Sequence, residues 1–156
     1  MDIADLIAPD GVVVNLRAAT KKQALSELAK RAAQLTGIAD AEIFTALSDR
    51  EALGSTGFGA GIAIPHSKVK GIDRMRGLFA RLERPIDFAA IDGQPVDLLC
   101  LLLAPVGGNA DHLKALARVS RLLRDPETCV KLRSAANAAA LYAALTESAA
   151  KVGCEP

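Results

Sequence analysis

Tryptophan is absent, and Phe, Tyr and Trp together make up only 3% of the 156 residues. Few rings are therefore available to stack on bases, and core packing falls to Leu, Ile, Val and Ala. Charge of one sign is lacking too: 19 Lys plus Arg face 18 Asp plus Glu, a net charge of +1. Such a balance points to neither nucleic acid nor an acidic membrane surface as a partner. The longest apolar run, Leu98 to Ala104, is stopped by Pro105 and falls far short of the roughly 20 residues that span a bilayer. It reads as a buried strand. No cationic start precedes an apolar stretch at the beginning of the chain, so no secretion signal is recognisable. Cysteine is scarce: Cys100, Cys129 and Cys154 are odd in number, widely spaced, and match neither a zinc knuckle nor a C-x-x-C redox pair. A reducing cytoplasm and no metal site are the expectation.

What is present is an ordinary packed protein, 51% hydrophobic and 24% charged. No repeat, low-complexity tract or long Gly/Ser linker divides it, so residues 1–150 are expected to form one domain. Residues 151–156 are expected to be a flexible tail, with the chain already loosening from Glu147.

Val12 to Leu16 reads as a short strand. Thr20 and Gln23 form a capping box for a helix with Ala24, Leu25, Leu28, Ala32 and Leu35 on one face, stopped by Gly37. Asp40 is placed to cap a second helix with Ile43, Phe44 and Leu47 inward, bringing Asp49, Arg50 and Glu51 to its exposed end. Strands are expected at Ile62 to Ile64, Gly77 to Leu82 and Val96 to Leu103, the last continuous in apolar residues and so central. Asn109 is expected to cap a helix to Leu123 with Leu113, Leu116, Ala117 and Leu123 inward. Asp125-Pro126 and Asn137 each start a further helix. The alternation of strands and helices argues for an α/β layered architecture.

Both histidines sit at element ends rather than inside an apolar periodicity. His66 follows Pro65, whose ring fixes its own backbone and removes a donor. A neutral imidazole, with an unperturbed pKa of about 6.5, keeps a nitrogen lone pair near pH 7 and can attack phosphorus. Its second nitrogen must then hold the proton, which a backbone carbonyl can accept. Just upstream, the run from Gly54 to Gly61 holds four glycines in eight residues. Ser55, Thr56 and the main chain around Gly57, Gly59 and Gly61 can line phosphoryl oxygens, with Arg50 adding charge. His112 falls in the first turn of its helix, where the dipole favours anions. Each feature also has a plainer reading. A glycine-rich stretch without Gly-Lys-Ser/Thr is commonly a turn, Arg50 beside Glu51 is commonly a solvated ion pair, and Lys21, Lys22, Arg74 and Arg76 read as solvated.

The run Arg50-Glu51-Ala52-Leu53-Gly54-Ser55-Thr56-Gly57-Phe58-Gly59-Ala60-Gly61-Ile62-Ala63-Ile64-Pro65-His66-Ser67-Lys68 resembles the signature of type-2 enzyme IIA domains of the phosphotransferase system. That class comprises the fructose, mannitol and nitrogen-regulatory enzymes. Ile91 to Leu99 and Asp111-His112-Leu113 extend the resemblance over nearly the whole chain. It implies a single α/β domain, a mixed β-sheet with helices on both faces. It also implies phosphorylation of His66 through Nε2, with Arg50 supporting the phosphoryl group and His112 as the second histidine. Ser67 departs from the glycine common after the family histidine, and its hydroxyl can add a phosphate contact. No cofactor or metal is implied.

Lys68 and a stand-alone chain resemble the nitrogen branch. The implied role is a cytoplasmic phosphoryl carrier and regulator, charged by an HPr-like phosphocarrier in a phosphoenolpyruvate-dependent relay. Kinases or potassium transporters are possible regulatory targets. The alternative is a sugar-specific enzyme IIA that passes the phosphoryl group to a IIB/IIC permease.

Overall fold

The computed structural model describes residues 2–153. Cys154 and the rest of the expected tail from residue 154 lie outside the described residues. The chain runs α1 (Ile3–Leu6), a 3-10 turn (Pro9–Gly11), β1 (Val12–Leu16), α2 (Lys21–Thr36), α3 (Asp40–Ala52), β2 (Gly57–Gly59), β3 (Ile62–Ala63) and β4 (His66–Val69). It continues through β5 (Arg76–Ile86), β6 (Val96–Pro105), α4 (Asn109–Leu123), α5 (Pro126–Ser134) and α6 (Ala138–Gly153). The sheet is mixed, in the order β1-β5-β6-β3-β2, with β4 also on β6. β1 lies parallel to β5, β5 antiparallel to β6, and both β3 and β4 parallel to β6.

Strand β6 is apolar without interruption from Leu98 to Ala104 because both its faces are covered there. Leu98, Cys100, Leu102 and Ala104 enter a core shared with α1, α4, α5 and α6. Leu99, Leu101 and Leu103 enter a second core built with α2 and α3. The expected α/β fold with helices on both faces is therefore what the chain adopts, and β6 is central as its composition implies.

Local signals explain most helix starts. The Thr20 hydroxyl accepts the Gln23 N–H, although the Gln23 side chain returns to the Ala19 N–H, one residue earlier than a reciprocal box requires. Asn137 Oδ1 accepts the Ala140 N–H, and Gly37 ends α2 at φ 78°. Two expected caps are displaced. Ala39 and Gly108 occupy the N-cap positions, so Asp40 and Asn109 are first helical residues. A carboxylate at Asp40 still complements the helix dipole there.

The inward face of α4 also differs. Ala115, Val119, Leu122 and Leu123 are buried, whereas Leu113 is 68% exposed and Ala117 is exposed. Two helically spaced apolar stripes compete on this segment, and docking on the sheet selects the one at 115, 119 and 122. Helix α6 continues to Gly153, through the stretch from Glu147 expected to loosen and into the first three residues of the expected tail.

The glycine-rich segment folds into an antiparallel β2–β3 hairpin rather than an open loop. Its glycines are needed for close packing. Gly61 has φ +80°, and a Cβ there would lie 2.6 Å from Arg133 Nη2 and 2.9 Å from Asp97 Oδ1. That guanidinium pairs with both Asp97 oxygens at 2.9 Å and donates to the Ala60 carbonyl, fastening the hairpin to α5. Replacing Gly61 with Ala therefore costs about 1–3 kcal/mol from the left-handed backbone and the displaced ion pair, measured by urea denaturation. An unchanged midpoint would contradict this packing account.

Candidate functional site

Strands β3 and β4 form one line along β6, interrupted at Ile64-Pro65. Ile62 stands opposite Leu98 and His66 opposite Leu102. Across the break Pro65 has no N–H to donate, while its carbonyl accepts the Leu102 N–H at 2.9 Å. The preceding carbonyl, of Ile64, accepts a hydrogen bond from His66 Nδ1 at 2.7 Å. A carbonyl can only accept, so Nδ1 carries the proton. On the other side of the ring Arg50 Nε donates to His66 Nε2 at 3.3 Å, which requires a lone pair at that nitrogen. Two independent partners thus specify the same neutral tautomer, with the free electron pair on Nε2.

Arg50 comes from the last turn of α3, and its Nη1 donates to the Gly54 carbonyl at 2.9 Å, fixing the plane of the guanidinium. His112 comes from the first turn of α4 on the other side. The two imidazole centroids are 5.3 Å apart with an interplanar angle of 83°, an edge-to-face pair. The backbone N–H of His112 is bonded to the Gly108 carbonyl, so any contact with an anion is left to its ring.

Both rings are held below the ordinary histidine pKa. For His66 burial is the largest cause; the Ile64 bond opposes it, Arg50 adds to it, and Glu51 opposes it. His112 is lowered by burial first, then by His66 and Lys68. A cationic, partly desolvated pocket thus keeps His66 Nε2 unprotonated.

The remaining residues singled out in the sequence are engaged by other parts of the protein. The Ser55 hydroxyl donates to the Phe88 carbonyl and accepts the Gly57 N–H. The Thr56 hydroxyl donates to Glu51. Gly57 packs on Ala90 and Gly59 on Asp92. Gly59 pairs with Ile62, four residues along the ladder from His66, or about 13 Å at strand spacing. Strand alternation turns Ser67, opposite Leu103, to the face away from the His66 ring.

Two residues missed as site neighbours are Glu51, which is buried rather than solvated, and Lys21, which pairs with it at 2.9 Å. Their signal was present: Ile43, Leu47 and Glu51 are spaced i, i+4, i+8, so the carboxylate is in phase with the buried stripe of α3. Among the described residues, no group of three or more His, Cys, Asp or Glu could hold a metal ion, and no helix is long and apolar enough to cross a membrane.

The family described as phosphoenolpyruvate-dependent sugar phosphotransferase system, EIIA 2, matches residues 5–148. The chain belongs to this enzyme IIA family. A nitrogen regulatory protein of Bradyrhizobium diazoefficiens is 54% identical over 145 residues, covering 93% of this chain and 95% of that one. One from Klebsiella oxytoca is 44% identical, covering 83% and 80%. The crystal structure of nitrogen regulatory protein IIA-Ntr from Neisseria meningitidis superposes with a TM-score of 0.87 at 30% identity, over 92% of this chain and 99% of that one. This enzyme IIA chain is accordingly of the nitrogen regulatory type.

The electrostatics of the pair can be titrated. By NMR, both imidazoles should show midpoints below about 6.5. Arg50→Ala should raise that of His66, since it removes a neighbouring cation and the donor that occupies the lone pair. An unfolded imidazole takes up its proton at the higher pH, so both groups make stability fall as pH drops through 6.5 toward the folded midpoints. An unchanged or lower His66 midpoint in the variant would contradict the arrangement.

Proposed function

We propose that this enzyme IIA chain is a phosphoryl carrier that accepts on His66 Nε2 a phosphoryl group from a phosphohistidine on an HPr-like carrier. The observation that carries the reading is the doubly specified tautomer, with Nδ1–H on the Ile64 carbonyl and the Nε2 pair directed at Arg50. In the transfer a P–N bond forms at Nε2 while the P–N bond of the donor breaks, its electron pair returning to the donor imidazole. The proton stays on His66 Nδ1 throughout, hydrogen-bonded to the Ile64 carbonyl.

Arg50 Nε is released from the lone pair as phosphorus arrives, and its N–H becomes available to a phosphoryl oxygen. The His112 ring, at right angles to His66, is within reach to donate to a second oxygen. Because donor and product are both phosphohistidines, the step is close to thermoneutral, and the phosphorylated fraction follows the upstream supply.

A regulatory rather than transport role is favoured by the relatives named nitrogen regulatory protein, which the chain matches over most of their length. The phosphoryl group brings about −1.5 to −2 charge beside Arg50, enough to change which surfaces dock around His66. Kinases or potassium transporters are targets of the kind such a switch would serve in the cytoplasm. The sugar-specific alternative differs only in the next acceptor, a IIB domain.

The test is transfer from phosphoenolpyruvate through enzyme I and the HPr-like carrier, with the acid-labile phosphate mapped by mass spectrometry. His66→Ala should abolish labelling. Arg50→Ala should slow it by about 100-fold or more, as expected for a lost oxyanion donor. His112→Ala should slow it by about 100-fold, the lower end of what one positioned imidazole contributes. Normal labelling of His66→Ala would overturn the assignment, and onward transfer to a IIB domain would favour the sugar-specific alternative.

A further inference from the structure

Glu51 takes no direct part in that chemistry, yet its side chain is only 5% exposed. Burying a carboxylate is costly unless its oxygens are partnered, and here both are. Oε1 accepts the Thr56 N–H at 3.0 Å and pairs with Lys21 Nζ at 2.9 Å, while Oε2 accepts the Thr56 hydroxyl. Lys21 Nζ lies 4.7 Å over the Phe88 ring, and the carbonyl of Phe88 in turn accepts the Ser55 hydroxyl. One buried charge therefore joins the first residue of α2, the last turn of α3 and the turn at residues 53–56.

That turn contacts both residues that hold the His66 ring. The Gly54 carbonyl receives Arg50 Nη1, which orients the guanidinium against Nε2. The Thr56 carbonyl receives the Ile64 N–H at 3.2 Å, and the carbonyl of Ile64 holds the Nδ1 proton. We propose that Lys21, Glu51 and Thr56 form a positioning clasp that holds the Arg50 guanidinium and the Ile64 carbonyl in register with the two nitrogens of His66. Thr56, whose hydroxyl the sequence offers to a phosphate, then acts through Glu51 and not on the phosphoryl group. The clasp rests on the reading of His66 as the phosphoryl acceptor, and Lys21, Glu51 and Thr56 are positioning residues only.

The decisive variants are Thr56→Val, which keeps the side-chain shape without the hydroxyl, Thr56→Ser, which restores it, and Lys21→Met, which removes the charge. Two quantities are read on each full-length chain. One is the His66 tautomer by nitrogen-15 NMR of the unphosphorylated protein. The other is the initial rate of labelling from the HPr-like carrier.

Thr56→Val should populate both tautomers and accept phosphate about 10- to 100-fold more slowly, the cost of a small misplacement transmitted from outside the reacting atoms. Thr56→Ser should return both values toward the starting protein, and Lys21→Met should shift both in the direction of Thr56→Val. If Thr56→Val does not fold, the pair Lys21→Met and Thr56→Ser decides in the same way.

A slower Thr56→Val with its tautomer unchanged would place the hydroxyl on the phosphoryl group and overturn the clasp. Reduced thermal stability with both readouts unchanged would also overturn it. The tautomer is measured without any phosphodonor, so a starting protein that never labels on His66 refutes the carrier reading separately.

Discussion

The hydrogen bond from His66 Nδ1 to the Ile64 carbonyl is the constraint on which the rest of the site depends. It exists because the strand line formed by β3 and β4 breaks at Pro65. A proline in mid-strand cannot donate to the ladder, and the residue before it is confined to extended backbone. The Ile64 carbonyl is thereby available to the imidazole two residues on, while the Pro65 carbonyl resumes pairing with Leu102. A local defect in the sheet thus becomes a fixed acceptor, and the acceptor decides which nitrogen bears the proton.

The sheet also explains how groups from opposite layers converge. His66 opens β4, the strand that follows the break along β6, and its ring shares a face with Leu102. Helix α4 covers that face and supplies His112, whereas α3 packs on the other and delivers Arg50 from its last turn. Neither side chain is deeply buried. The ring is partly desolvated, which together with Arg50 disfavours its cationic form, while the Ile64 carbonyl and Glu51 limit the shift. The balance leaves a neutral imidazole beside a guanidinium, an environment suited to an anion.

Much of this was legible from the chain alone. The unbroken apolar run of β6 reads correctly as a strand covered on both sides, whereas Pro65-His66, read as the end of a strand, is a break after which β4 resumes at His66. The Thr20 and Asn137 caps follow from side-chain chemistry that acts over three residues. Longer-range choices were less accessible. The glycine-rich segment has the composition of an anion loop, but Gly57, Gly59 and Gly61 serve contacts with Ala90, Asp92 and Arg133, residues more than 30 positions away. The face of α4 turned on which of two apolar stripes met the sheet, a decision made by tertiary docking. Glu51 was misjudged for a different reason. Its charge suggested solvent, whereas its phase with Ile43 and Leu47 pointed to the core, and here the periodicity outweighed the chemistry of the side chain.

The most direct measurement of the central claim is the regiochemistry of the phosphorylated imidazole. Nitrogen-15 and phosphorus-31 NMR of the labelled chain reads which ring nitrogen bears phosphorus and which retains hydrogen. The account predicts phosphorus on Nε2 of His66 with Nδ1 still protonated. Phosphorus on Nδ1, or on His112, would contradict it.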